Sequence, residues 1–195
     1  MEKRYLPIRD MKTRADENGD LFLSGYFSVF NSDYELWPGA TESIAPGAFD
    51  KSISGDVRAL YNHNDDIVLG RTSAGTLKLE QDSRGLFGEI KINQKDSDAM
   101  NAYERIARGD VTGCSFGFDI EREEFRENPD GSYHWTILSV YPLYEVSPCT
   151  FPAYEATNIA ARGHQHAEIE KRKADAWKEK MRARLKHGTQ STDAE

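Results

Sequence analysis

The sequence has few cysteines and no long apolar run. Its two cysteines, Cys114 and Cys149, lack the spacing of a zinc site, and Cys114 is better explained as a small buried side chain than as a thiol nucleophile. No apolar run approaches the roughly 20 residues of a membrane-spanning helix. Because the charged N-terminus also lacks an apolar signal core, we expect no secretion and no membrane partner.

The chain also lacks an excess of basic residues. Its 195 residues include 25 Lys and Arg against 33 Asp and Glu, which gives a formal net charge of −8. Nucleic-acid binding requires clustered cations that neutralise phosphates, so the composition disfavours a nucleic-acid partner. No glycine-rich phosphate-binding loop occurs, which disfavours a nucleotide cofactor.

The distribution of charge divides the chain near residue 160. Residues 1–160 hold 16 Lys and Arg and 27 Asp and Glu, a net charge of −11. Residues 161–195 hold 9 Lys and Arg and 6 Asp and Glu, a net charge of +3, and the net charges of the two parts sum to −8. We therefore expect one domain over 1–160 and a charged extension over 161–195. Apolar residues fall on one stripe of 167–187, which predicts a helix in this extension.

The first part of the chain has the pattern of a β-rich domain. Apolar and aromatic runs alternate with Gly, Ser and Asp, as is typical of strands and their connections. The predicted strands cover 21–30, 57–62, 76–81 and 85–92. "NPDG" at 128–131 predicts the turn of a long hairpin, because proline presets φ and glycine accepts a positive φ. Apolar residues with one-face spacing predict a single helix over 96–109.

Ser115 stands between two glycines in "GDVTGCSFGF", on a strand-like segment. It belongs either to a tight turn or to a nucleophilic site, where the glycines would let a substrate approach and nearby backbone N–H groups would hold an oxyanion. A serine nucleophile needs a histidine base within hydrogen-bond reach. His63 is the best candidate because it ends an apolar strand. The other histidines lie in the predicted hairpin or in the charged tail: His134, His164, His166 and His187.

Glu145 is a candidate partner for this base. It is the single charged residue in the apolar segment "YPLYEVSPCTFPAY". A carboxylate buried in such a strand is costly unless it is paired, whereas a carboxylate on an edge strand can face outward. The spacing leaves both interpretations open.

Metal-assisted hydrolysis is the alternative chemistry. His63, Asp65 and Asp66, together with His134, offer suitable ligand atoms. No second histidine stands at a diagnostic spacing, however, so a metal site is disfavoured. We expect neither a metal nor another cofactor.

Three segments occur in a specific order along the chain: "LYNHNDDIVLGRT", "RGDVTGCSFGF" and "LYEVSPCTFPAYEAT". Together they resemble the HK97-type prohead (head maturation) proteases of tailed phages, over about residues 20–160. The resemblance implies a mainly β fold with helices (α+β), in which an assemblin-like closed or partly closed β-barrel is flanked by helices. It also implies a serine endopeptidase with Ser115 as nucleophile, His63 as base and Glu145 as the third triad member.

The resemblance further implies the setting of the reaction. Such proteases cleave scaffold protein or a scaffolding segment of the major capsid protein, and themselves, inside the assembling procapsid in the host cytoplasm. A homodimer is implied by assemblin-like relatives, and the extension at 161–195 would be removed or would dock on acidic scaffold. The rival hypothesis is a non-enzymatic capsid- or scaffold-binding module with the same barrel. Such a module would not need a serine, histidine and glutamate set.

Overall fold

The structure of the protein is a computed structural model, which describes residues 2–6, 11–151 and 163–188. Within these residues the chain forms eleven strands and two helices. The strands are β1 (Glu2–Leu6), β2 (Lys12–Ala15), β3 (Leu21–Val29), β4 (Tyr34–Trp37), β5 (Ala40–Ile44), β6 (Arg58–Tyr61), β7 (Asn64–Arg71), β8 (Leu77–Gln81), β9 (Gly85–Lys91), β10 (Gly113–Glu127) and β11 (Tyr133–Cys149). The helices are α1 (Ser97–Arg108) and α2 (Gly163–Gly188).

The strands that the sequence predicts are all present, each within one residue of its expected bounds. The long hairpin is present as well, because β10 and β11 pair antiparallel from Gly113↔Cys149 to Glu127↔Tyr133. The sequence pattern misses β1, β2, β4, β5 and β7, since these segments contain charged residues and no long apolar run. Strands β4 and β5 belong to the same sheet as β11, so their strand conformation depends on pairing with distant residues.

Helix α1 begins and ends where its capping residues predict. The Asp96 side chain accepts hydrogen bonds from the backbone N–H groups of Asp98 and Ala99. Gly109 ends the helix with a φ of 87°, a conformation that glycine adopts without strain. Ala99 and Ile106 lie on the face that packs into the hydrophobic core.

The strands form two sheets that contribute side chains to one hydrophobic core. The larger sheet has the order β1-β10-β11-β5-β4, with β6 paired to β11 and β7 paired to β6, and the smaller has the order β2-β3-β9-β8. Phe27 and Ile90 from the smaller sheet join Phe116 and Val146 from the larger sheet in this core.

The predicted closed or partly closed barrel is wrong, because both sheets are open. Within the described residues, backbone ladders join strands of the same sheet only. Apolar side chains from both sheets form the contact between them. Such packing does not require that the strands close into a continuous hydrogen-bonded barrel.

The chain divides into two compact units, Met1–Tyr154 and Glu155–Glu195. The second unit contains α2, so a helix is present where the sequence predicts one, although it begins earlier than expected. Two large apolar residues of α2 are exposed, with Trp177 at 62% and Met181 at 38%. In the part of the chain that the structure describes, no helix is long and apolar enough to cross a membrane.

Candidate active site

Ser115 lies within strand β10, so the tight-turn interpretation is wrong. Its neighbours Cys114 and Phe116 belong to the hydrophobic core, and strand alternation therefore directs Ser115 to the opposite face. Ser147 on β11 pairs directly with Ser115, and Glu145 precedes it by two residues on the same face. All three residues on this polar face are buried, with exposures of 0% for both serines and 3% for the glutamate.

His63 is the second residue of a two-residue hairpin turn. Tyr61 at the end of β6 pairs with Asn64 at the start of β7, which leaves only Asn62 and His63 in the loop. Their φ angles are 54° and 58°, and two consecutive positive φ values are the mark of a type I′ turn. Asn and His are among the few residue types besides glycine that tolerate this conformation. The turn is therefore compatible with its sequence, although it lacks the usual glycine.

Hydrogen bonds tie this turn to the end of β11. The Asn62 backbone N–H donates to the Pro148 carbonyl at 3.0 Å. The Asn62 side chain donates to Thr150 Oγ1 at 3.2 Å and accepts from the Thr150 backbone N–H at 2.8 Å. The His63 backbone N–H donates to Ser147 Oγ at 3.3 Å. The loop that presents His63 is thereby held beside the polar face of the sheet.

Substituting Asn62 should loosen this turn. Alanine tolerates the positive φ poorly and loses both side-chain bonds to Thr150, so we expect the free energy of unfolding to fall by about 1–3 kcal/mol. Asn62→Gly keeps the conformation and loses only the bonds, so it should lie between Asn62→Ala and the wild type. Urea unfolding of the three proteins would measure this order. An Asn62→Ala variant as stable as the wild type would show that neither the positive φ nor the bonds to Thr150 contribute to stability.

The His63 ring contacts the buried carboxylate of Glu145. His63 Nδ1 lies 2.7 Å from Glu145 Oε1, and the two side chains are 18% and 4% exposed. Glu145 is therefore a buried and paired carboxylate, and it does not face outward from an edge strand. Because an ionised carboxylate only accepts hydrogen bonds, Nδ1 carries a proton in this contact, and in the neutral ring Nε2 is then the nitrogen with the free lone pair. This tautomer is the one that a general base requires.

Comparison with known proteins identifies the family. A family model described as Caudovirus prohead serine protease matches residues 9–172. The chain belongs to this family. The resemblance seen in the three sequence motifs is thereby confirmed, and the matched range contains Ser115, His63 and Glu145.

One relative in the prohead serine protease family is the prohead protease of Enterobacteria phage HK97. It is 29% identical to this chain over 159 residues, which cover 78% of this chain and 64% of the relative. The chain therefore spans slightly less than two thirds of that relative's length. No solved structure matches the chain.

Among the described residues, no hydrogen bond joins the other candidates from the sequence to the side chains of His63 or Glu145. The His134 ring nitrogens are bonded to hydroxyls, Nδ1 to Thr41 Oγ1 at 2.8 Å and Nε2 to Ser43 Oγ at 3.0 Å. Asp65 and Asp66 are exposed on β7. Among the residues described, no three His, Cys, Asp or Glu side chains form a cluster that could hold a metal ion.

The backbone around Ser115 is paired on both sides. Ser115 pairs with Tyr5 on β1 and with Ser147 on β11. The N–H groups of a strand between two neighbours take part in the ladders. That donors next to Ser115 hold the oxyanion stays a prediction.

Ser147 and Asn62 are the residues that sequence reasoning misses. Ser147 stands two residues after Glu145, and strand alternation alone would assign both to one face. Asn62 precedes His63, and asparagine is favoured at the first position of a type I′ turn. The second signal is weak, because Asn-Gly and not Asn-His is the usual pair.

Proposed function

We propose that the protein is a serine endopeptidase of phage head maturation, with a triad formed by Ser115, His63 and Glu145. The contact that carries this proposal is the hydrogen bond of 2.7 Å between His63 Nδ1 and Glu145 Oε1. It supplies an oriented base beside β11, the strand that pairs with the strand that bears Ser115. Membership of a serine protease family supplies the reaction class.

The proposed mechanism follows from the direction of these hydrogen bonds. Nε2 of His63 accepts the hydroxyl proton while Ser115 Oγ attacks a peptide carbonyl carbon, and it then passes this proton to the leaving amine. In the second half of the reaction, water attacks the acyl carbon while Nε2 accepts its proton. The proton then passes to Ser115 Oγ as the acyl group leaves. Glu145 keeps the proton on Nδ1 and stabilises the positively charged ring that forms after each transfer.

The burial of Ser115 bears on when this enzyme acts. Its exposure is 0%, so a peptide reaches Oγ only after the surrounding chain moves. We therefore propose a latent enzyme that becomes active during particle assembly. The same burial favours the second candidate, a capsid- or scaffold-binding module without activity.

The proposed substrates are scaffold protein or a scaffolding segment of the major capsid protein, and the protease itself. The proposed place is the assembling procapsid in the host cytoplasm, where the protein would act as a homodimer. We also propose that residues 1–160 form the protease domain and that residues 161–195 form a processed or scaffold-docking extension. No cofactor, metal, membrane or specific nucleic acid has a part in this proposal.

Intact mass spectrometry of the full chain co-expressed with its capsid protein would test the function. Wild-type protein should yield shortened capsid protein or a shortened protease, and Ser115→Ala should yield neither. Identical shortening in both would assign the cuts to host enzymes and favour the binding module. Particles that assemble fully without any cleavage in the wild type would overturn the proposed protease.

A further inference from the structure

Ser147 contacts both members of the His63–Glu145 pair. We propose that it is a positioning residue, whose hydroxyl locks the carboxylate and the histidine turn in the geometry that catalysis needs. This inference rests on the proposed function of the site, because positioning has meaning only if His63 acts as the base.

The hydroxyl of Ser147 acts as a donor to one member of the pair and as an acceptor from the other. Ser147 Oγ donates to Glu145 Oε2 at 2.5 Å and accepts from the His63 backbone N–H at 3.3 Å. Glu145 Oε1 holds the His63 ring at 2.7 Å. Ser147, Glu145 and His63 thus form a closed ring of hydrogen bonds, in which each residue contacts the other two.

This ring of hydrogen bonds restricts two motions that would move the general base out of position. The last torsion of a glutamate side chain is broad, so a carboxylate held through one oxygen can rotate. A second bond, through Oε2, fixes the plane of the Glu145 carboxylate and satisfies an oxygen that would otherwise be buried without a partner. The bond to the His63 N–H fixes the backbone of the turn itself.

Ser147 is not the nucleophile in this arrangement, although it shares a sheet face with Ser115. Its hydroxyl proton is committed to Glu145, and it is 0% exposed. Ser28 offers a matched control because it is also 0% exposed, and its Oγ has no hydrogen-bond partner in the described part of the chain.

The first test measures reaction of the full chain, assembled with its capsid protein into procapsids, with a fluorophosphonate, in which the serine Oγ bonds to phosphorus, fluoride leaves and the hydroxyl proton passes to His63 Nε2. We expect Ser147→Ala to lower the limiting labelling rate about 10- to 100-fold, as for other hydrogen bonds to a charged group. The half-saturating probe concentration should stay unchanged, because Ser147 does not touch the probe. Ser147→Thr, which keeps the hydroxyl, should recover most of the rate, and Ser28→Ala should equal the wild type.

Peptide mapping of the labelled protein separates the possible outcomes. Label on Ser115 with equal rates in the wild type and Ser147→Ala would overturn the positioning role and leave the protease intact. Label on Ser147 would overturn this inference and the assignment of Ser115 together. Equal labelling rates in the wild type and Ser115→Ala would overturn the proposed function itself.

A second test does not require activity. In protein labelled with 15N-histidine and carrying Ser115→Ala, the proton on His63 Nδ1 should give an NMR signal that exchanges slowly with water. Adding Ser147→Ala should speed this exchange at least about tenfold, since one hydrogen bond to a carboxylate contributes that much or more. Ser147→Cys, which nearly preserves the side-chain volume, provides the same comparison if the alanine variant does not fold. Unchanged exchange in a folded variant would overturn the inference.

Discussion

Alanine at Ser115, at His63, or at both positions should lower kcat by the same factor, about 10⁶, because nucleophile and base act as one unit. Removing His63 leaves the hydroxyl without a proton acceptor, and removing Ser115 leaves the base without a nucleophile. The double variant should therefore be no worse than either single variant. The measurement is cleavage of the capsid or scaffold fragment that the wild type cuts, under single-turnover conditions.

His134→Ala is the matched control for His63→Ala. Its ring is bonded to the hydroxyls of Thr41 and Ser43 on β5, in a different part of the sheet from the β6–β7 turn that carries His63. We expect kcat to stay near the wild-type value, with a modest loss of stability from the two broken bonds. If His63→Ala retained a tenth of the wild-type kcat, another base would have to be sought. Losses that add in the double variant would show that the two residues act independently.

Glutamine at Glu145 should lower kcat by about 10⁴, the loss that follows when a buried acid that orients a histidine is neutralised without changing its shape. Two donors converge on this carboxylate, the His63 ring N–H on Oε1 and the Ser147 hydroxyl on Oε2. An amide has one oxygen and one NH2 group, so it cannot accept both bonds. With the NH2 group towards His63, the ring proton moves to Nε2, and the histidine can no longer accept a proton from Ser115.

The only other buried glutamate among the described residues supplies the control for this prediction. Glu42 is 1% exposed, so Glu42→Gln removes a buried carboxylate from a different part of the sheet. We expect it to change the urea unfolding midpoint while kcat stays within a few-fold of the wild type. A Glu145→Gln enzyme with kcat within tenfold of the wild type would show that His63 needs no carboxylate.

Several parts of the fold follow from local signals in the sequence. Alternation and turn residues locate four strands and the long hairpin, and Asp96 and Gly109 locate the ends of α1. These signals act over a few residues, through side-chain periodicity and allowed φ values, so no partner need be known to interpret them. Strands β4 and β5 carry no such signal, because they depend on pairing within the sheet of β11.

The sequence by itself determined the family of the protein and the residue types of its site: a serine flanked by glycines, a histidine at the end of a strand, and one carboxylate in an apolar segment. Only the tertiary structure decided that His63 meets Glu145 across 82 positions of the chain, and that Ser147 joins them. It also decided that the sheets are open. The physical reason is that strand register and sheet closure depend on long-range burial and pairing, which one segment does not encode alone.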